Sequence, residues 1–173
     1  QRGHSESLPH PPHQHPGAPL SEHAKPPATD HIDLPRQPRA SGIAFSARGS
    51  LASVAFSRNN TVALIDAAAR QVLREIPVGM VPFDVLVAPK TGTIYVSNRA
   101  GRHPTATDSV APSSGSMVVT DPTTGSTTTG TISIVDPKTF ATQELAVGLA
   151  PSNLALSPDG TTPAVTQRPE EHT

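Results

Sequence analysis

The chain has 173 residues, a net charge of −1 and no cysteine. The missing cysteines exclude a disulfide framework, a thiolate metal site and a Cys nucleophile. The balanced charge, with no basic stripe, argues against nucleic-acid binding, and no apolar run approaches the ~18 residues that a membrane-spanning helix needs.

Leu, Ile, Val and Phe total 36 residues, which puts the chain near the border of disordered composition. Val and Ile (21) outnumber Leu (11), and Thr contributes 19, so the ordered part is expected to be β-rich. The chain begins at Gln1 rather than Met, which fits a processed product and equally a cloning boundary. With the Ala/Thr/Ser/Pro-rich, cysteine-free composition, this leads us to expect a bacterial extracytoplasmic protein, periplasmic or secreted.

Residues 1–31 hold seven prolines and six histidines but only two leucines, Leu8 and Leu20. So little apolar surface cannot offset the entropy of ordering, so this arm is expected to be extended or disordered. Within it, His10, His13 and His15 follow an H-x2-H-x-H spacing. Imidazoles that close could converge on a Zn, Cu or Ni ion; the plainer reading is a solvated Pro-rich tail, because no carboxylate or cysteine completes the set.

From Ile32 onward short apolar runs alternate with Gly, Pro, Asp and Asn, the pattern of many short strands. Three segments repeat. Asp33-Leu34-Pro35 leads to Ile43-Ala44-Phe45-Ser46; Glu75-Ile76-Pro77-Val78-Gly79 leads to Val85-Leu86-Val87-Ala88; Glu144-Leu145-Ala146-Val147-Gly148 leads to Leu154-Ala155-Leu156-Ser157. The acidic residue precedes the last residue by 13 positions each time, and the copies are offset by 42 and then 69 residues. The extra 27 residues are an insertion.

Between these anchors the order is Leu51–Ser57 and Thr61–Asp66 in one copy, then Thr93–Asn98, the insertion and Thr131–Asp136 in the next. Gln71–Ile76 and Phe140–Leu145 close the two units as fourth strands. Asp66 and Asp136 stand where an Asp side chain bonds the backbone of the following turn. Four short strands in ~42 residues, joined by turns too short for a crossover helix, predict antiparallel blades of a β-propeller.

Tyr95-Val96-Ser97-Asn98, Thr131-Ile132-Ser133-Ile134-Val135-Asp136, Pro77-Val78-Gly79 and Ser157-Pro158-Asp159-Gly160 together resemble the YVTN-type repeat of bacterial β-propellers. The resemblance covers about residues 33–162. It implies a blade end at 32–38, a blade at 39–79, a second at 80–148, a half blade at 149–167 and a tail at 168–173. Propellers host many activities, so this resemblance speaks to fold and not to function. In the last copy Pro163 cannot donate to a ladder, which suits only an edge.

The insertion, residues 99–129, has 22 Ser, Thr, Gly, Pro or Ala among its 31 positions. Loops this long are functional, disordered or partner sites. Met117-Val118-Val119-Thr120, followed by Asp121-Pro122-Thr123-Thr124-Gly125, is expected to extend the sheet as a hairpin. The insertion is similar to one in bacterial propellers that precede a phosphoesterase domain, although no Asp/His phosphatase constellation accompanies it here. Asn98 with Arg99, Arg102 and His103 forms a compact cationic group that could take a carboxylate or phosphate; a solvated loop is the bland alternative. Asn59-Asn60-Thr61 matches a glycosylation sequon but reads as turn chemistry. No G-x-S-x-G elbow exists.

These residues lead us to expect a non-enzymatic binding or scaffold module without cofactor. A closed propeller needs at least four blades, roughly 160–340 residues, and the repeats here supply about two and a half. Other protein chains are therefore expected to complete or cover the open edges, within an oligomer or larger complex. One alternative is the propeller portion of a larger hydrolase or redox protein; another is a metal-binding protein acting through its His-rich arm.

Overall fold

Turn residues cut the apolar runs into strands of three to eight residues, each paired with its neighbour in sequence or with the next one across the insertion. The structure, a computed structural model, describes residues 38–168. Strands β1 (Ala40–Phe45), β2 (Leu51–Phe56), β3 (Thr61–Asp66) and β4 (Gln71–Pro77) form one antiparallel meander, in that order. A second sheet runs β5 (Met80–Val87), β6 (Ile94–Gly101), β9 (Gly130–Val135) and β10 (Thr142–Val147). Between β6 and β9 the insertion folds into a separate hairpin, β7 (Val110–Ser113) and β8 (Ser116–Val119). A last hairpin pairs β11 (Leu154–Leu156) with β12 (Pro163–Val165). The fold is all-β, with antiparallel four-stranded blades of a partial β-propeller.

Aspartates set the turns. Asp66 Oδ1 accepts the amides of Ala68 and Ala69 at 2.9 and 2.8 Å, and Asp136 Oδ1 accepts those of Lys138 and Thr139 at 2.7 and 2.8 Å. Each turn ends in a left-handed residue, Arg70 (φ 55°) and Phe140 (φ 62°). That geometry takes Phe140 out of the ladder, so β10 starts at Thr142 and not at Phe140. Asp121 repeats the device inside the insertion, holding the Thr123 and Thr124 amides at 2.8 Å before Gly125 (φ 70°). The expected hairpin therefore exists, but Met117–Val119 pairs with the unforeseen β7 and does not extend a blade.

Period-two alternation sends the two faces of blade 1 into different clusters. Ala55, Val62, Leu64, Ile76 and Val78 meet Val85, Ile94, Val96 and Val135 of blade 2, which forms the core between blades. Each of the larger side chains buried there contributes roughly 1.5–3 kcal/mol. The opposite face gathers Ala52, Val54, Phe56, Ala63 and Ile65. On that same face of β1, Ile43 and Phe45 pair with Val54 and Ala52 and remain 59% and 55% exposed.

The inner strands of adjacent blades touch directly. A Cβ on Gly42 would lie 2.7 Å from Asp84 Cα and from the Phe83 carbonyl, so only glycine lets β1 approach β5 so closely. Ser41 Oγ donates to the Pro82 carbonyl at 2.8 Å. The third blade is tied similarly: the Leu154 amide donates to Asp84 Oδ2 at 2.8 Å and Ser97 Oγ to the Ser152 carbonyl at 2.6 Å.

Candidate functional site

Because every strand reverses, the connections alternate between two ends of the sheets. One end gathers residues 57–60, 78–79, the insertion, 148–153 and 166–168. Hydrogen bonds knit it together: the Val78 amide donates to the Asn60 carbonyl at 3.0 Å, and the Val81 amide to Asn60 Oδ1 at 2.9 Å. Asn60 Nδ2 donates to Ser116 Oγ at 2.8 Å, which anchors the insertion hairpin onto blade 1.

Sequence reading singled out Asn98, Arg99, Arg102 and His103 at this end, and each meets a different partner. Asn98 is fully buried in β6, where its Nδ2 donates to Thr131 Oγ1 at 3.0 Å and Ser133 Oγ at 2.8 Å. Its Oδ1 has no hydrogen-bond partner among the described residues. The Gly79 amide donates to the same Ser133 oxygen at 3.1 Å, and a Cβ on Gly79 would come within 2.6 Å of Asn98 Nδ2. Asn98 thus joins strands from inside the blade.

Arg102 makes a bidentate pair with Asp108, both N–O distances 2.7 Å, and donates to the His103 carbonyl. Asp108 also accepts the Thr105 amide and hydroxyl at 2.7 Å each. The Arg102 guanidinium and these Thr105 donors hold the Asp108 carboxyl well below the usual carboxylate range, and the same bond raises Arg102. His103 Nε2 donates to the Val78 carbonyl at 2.9 Å. Arg102 is therefore engaged within the insertion, and His103 ties the insertion to the connection between β4 and β5. Arg99 differs: its guanidinium lies 3.7 Å above the centre of the Phe83 ring, with no carboxylate partner among the described residues.

Arg99 borders an open cleft of about 620 Å³, where the insertion hairpin faces the third blade. Ser113 comes from β7, Ser152 from the connection before β11, and Thr166, Gln167 and Arg168 from the segment after β12. Sequence reading missed Arg168 and the hydroxyls, since they lie far from Arg99 along the chain. The one available signal was the length of the insertion, which alone departs from the repeat.

Among the described residues no group of three or more His, Asp or Glu could hold a metal, and no helix is long and apolar enough to cross a membrane. His10, His13 and His15 lie outside the described residues.

No protein-family profile matches the chain, and no curated protein does. Among solved structures, the hydrazine synthase of Kuenenia stuttgartiensis aligns with 83% of this chain at 24% identity and a TM-score of 0.56. The alignment covers 32% of that protein, so the chain spans about a third of its length. Two more distant similarities are dihydro-heme d1 dehydrogenase NirN in complex with DHE (TM-score 0.38, 18% identity, 78% of this chain and 34% of that one) and the β-propeller domain of Myceliophteria thermophila Cps50, or Swd1 (TM-score 0.37, 9% identity, 72% and 51%).

Proposed function

We propose that this chain is a non-enzymatic, extracytoplasmic propeller module of the YVTN type that works by protein–protein contact, with other chains completing or covering its open blades. The observation that carries this reading is the pair of unfinished flanks. At one flank Ile43 and Phe45 stand more than half exposed beside the second cluster of blade 1. At the other, the third blade consists of two described strands of three residues each. A two-stranded hairpin is marginal by itself and offers its free edge to another strand.

The test is Phe45→Asp in the full chain, which puts a charge on the exposed flank without touching the core between blades. The expected result is loss of self-association or of partner capture, with the β-sheet circular dichroism spectrum retained. A variant that associates as the natural chain does would contradict the proposal.

A second reading, the propeller portion of a larger hydrolase or redox protein, is favoured by the one-third coverage of its structural neighbour. An encoded catalytic module downstream of Thr173 would support that reading.

A further inference from the structure

We infer that the cleft between the insertion hairpin and the third blade is a binding site for a small hydroxylated oxyanion, a carboxylate or phosphate ester. This is independent of which chain completes the propeller. Arg99 and Arg168 both border the cleft, and none of the described residues lining it is acidic.

Two carboxylates of the insertion are already engaged. Asp108 is held by Arg102 and Thr105, and Asp121 by the amides of its own turn. An anion entering the cleft would therefore meet Arg99 and Arg168, with no Asp or Glu among the described residues that line it. Stacking on Phe83 orients Arg99 without using its N–H edge, which leaves the planar fork free to grip two oxygens.

The remaining lining suits the hydroxyl groups of such a ligand. Ser113, Ser152, Thr166 and Gln167 offer both donors and acceptors. A volume of about 620 Å³ falls within the range of small-molecule sites, ≈300–1,000 Å³. Its walls belong to three separately placed segments, and the insertion wall is fixed to blade 1 through Asn60 and Ser116. Arg99 projects from β6 of blade 2, so at least this side of the site is preformed.

The test is NMR titration of the full chain with glucose 6-phosphate and with glucuronate, using glucose as the uncharged control. At least one charged probe is expected to shift the amides of Ser113, Ser152, Gln167 and Arg168 in a saturable way, weakening as salt rises. The probe that binds tells phosphate from carboxylate. Arg99→Met and Arg168→Met are each expected to weaken binding about tenfold, the loss of one charge-assisted contact. Arg39→Met, which removes an equal charge at the same end outside the cleft, is expected to leave it unchanged. The proposal is overturned if neither charged probe produces saturable shifts, if glucose binds equally well, or if Arg39→Met weakens binding as much as the cleft substitutions. Because Arg99 lies on β6 and Arg168 in the segment after β12, misfolding of one variant leaves the other as the test.

Discussion

The carboxylate of Asp84 accepts the backbone amide of Leu154 at 2.8 Å, joining the inner strand of the second blade to that of the third across 70 residues of chain. Its other oxygen accepts the Val85 amide at 2.9 Å, and the Asp84 amide donates to Ser97 Oγ, which itself donates to the Ser152 carbonyl. One acidic side chain and one hydroxyl thus dock a short hairpin that has little apolar surface of its own.

Asp84→Ala should release that hairpin. Hydrogen bonds to a charged group are worth about 1.5–3 kcal/mol, so the Leu154 and Ala155 amides should exchange faster by roughly tenfold or more. Blade 1 should be unaffected. Hydrogen exchange followed by mass spectrometry reads both, and unchanged protection at residues 152–156 would refute the tie.

The Gly79–Asn98 contact recurs 69 residues later as Gly148 against Gln167, yet the two differ in cost. A Cβ on Gly79 would meet the buried Asn98 amide and the Gly101 carbonyl, both at 2.6 Å. On Gly148 it would meet the end of the exposed Gln167 side chain. Gly79→Ala should therefore destabilise strongly and Gly148→Ala only slightly. Asn98→Ala, which strips the donor from two buried hydroxyls, should cost about 2–4 kcal/mol. Urea denaturation midpoints rank all three, and a Gly148→Ala variant less stable than Gly79→Ala would contradict the packing described.

Acid should open the loop that Arg102 and Asp108 close. Folding lowers the Asp108 pKa, so its contribution is complete above the ordinary carboxylate value near ~4 and is lost as pH falls toward the lowered value. In an NMR carboxyl titration Asp108 should still be ionised at about pH 3, where free aspartate is mostly protonated. Arg102→Gln should move its titration back up. A natural chain in which Asp108 titrates near ~4 would show that the pair does not form.

Asn60 has a left-handed backbone (φ 56°) and holds both the Val81 amide and Ser116. Asn60→Gly keeps that backbone accessible and removes both side-chain bonds. The insertion hairpin should then lose protection at Ser116–Val119, while the β2–β3 pairing persists. Equal protection in the two proteins would mean that the hairpin is held by something else.

The blades were legible because their information is periodic. Thr61–Asp66 forms β3 with the bounds expected, and Asp66 and Asp136 perform the turn chemistry that their positions suggested. Periodicity misplaced elements where one residue leaves the ladder. Phe140 turns left-handed and delays β10, while β5 begins at Met80 and carries Pro82 through two register shifts. The insertion was legible as an interruption but not as a shape. Val110–Ser113 contains a proline and little apolar character, and it becomes a strand only because Met117–Val119 is there to pair with it. Of the cationic group, adjacency in sequence put Arg99, Arg102 and His103 together, whereas folding gave two of them internal partners. Arg168, which completes the cleft, lies 69 positions beyond Arg99 and carried no local signal.

The central claim is that these blades are finished by another polypeptide chain. Native mass spectrometry of this 173-residue chain, incubated with extract of its natural host and repurified, tests it most directly. The account predicts an assembly of at least two chains, with a mass well above the 17.9 kDa of one chain. A stable, partner-free species at 17.9 kDa would contradict it.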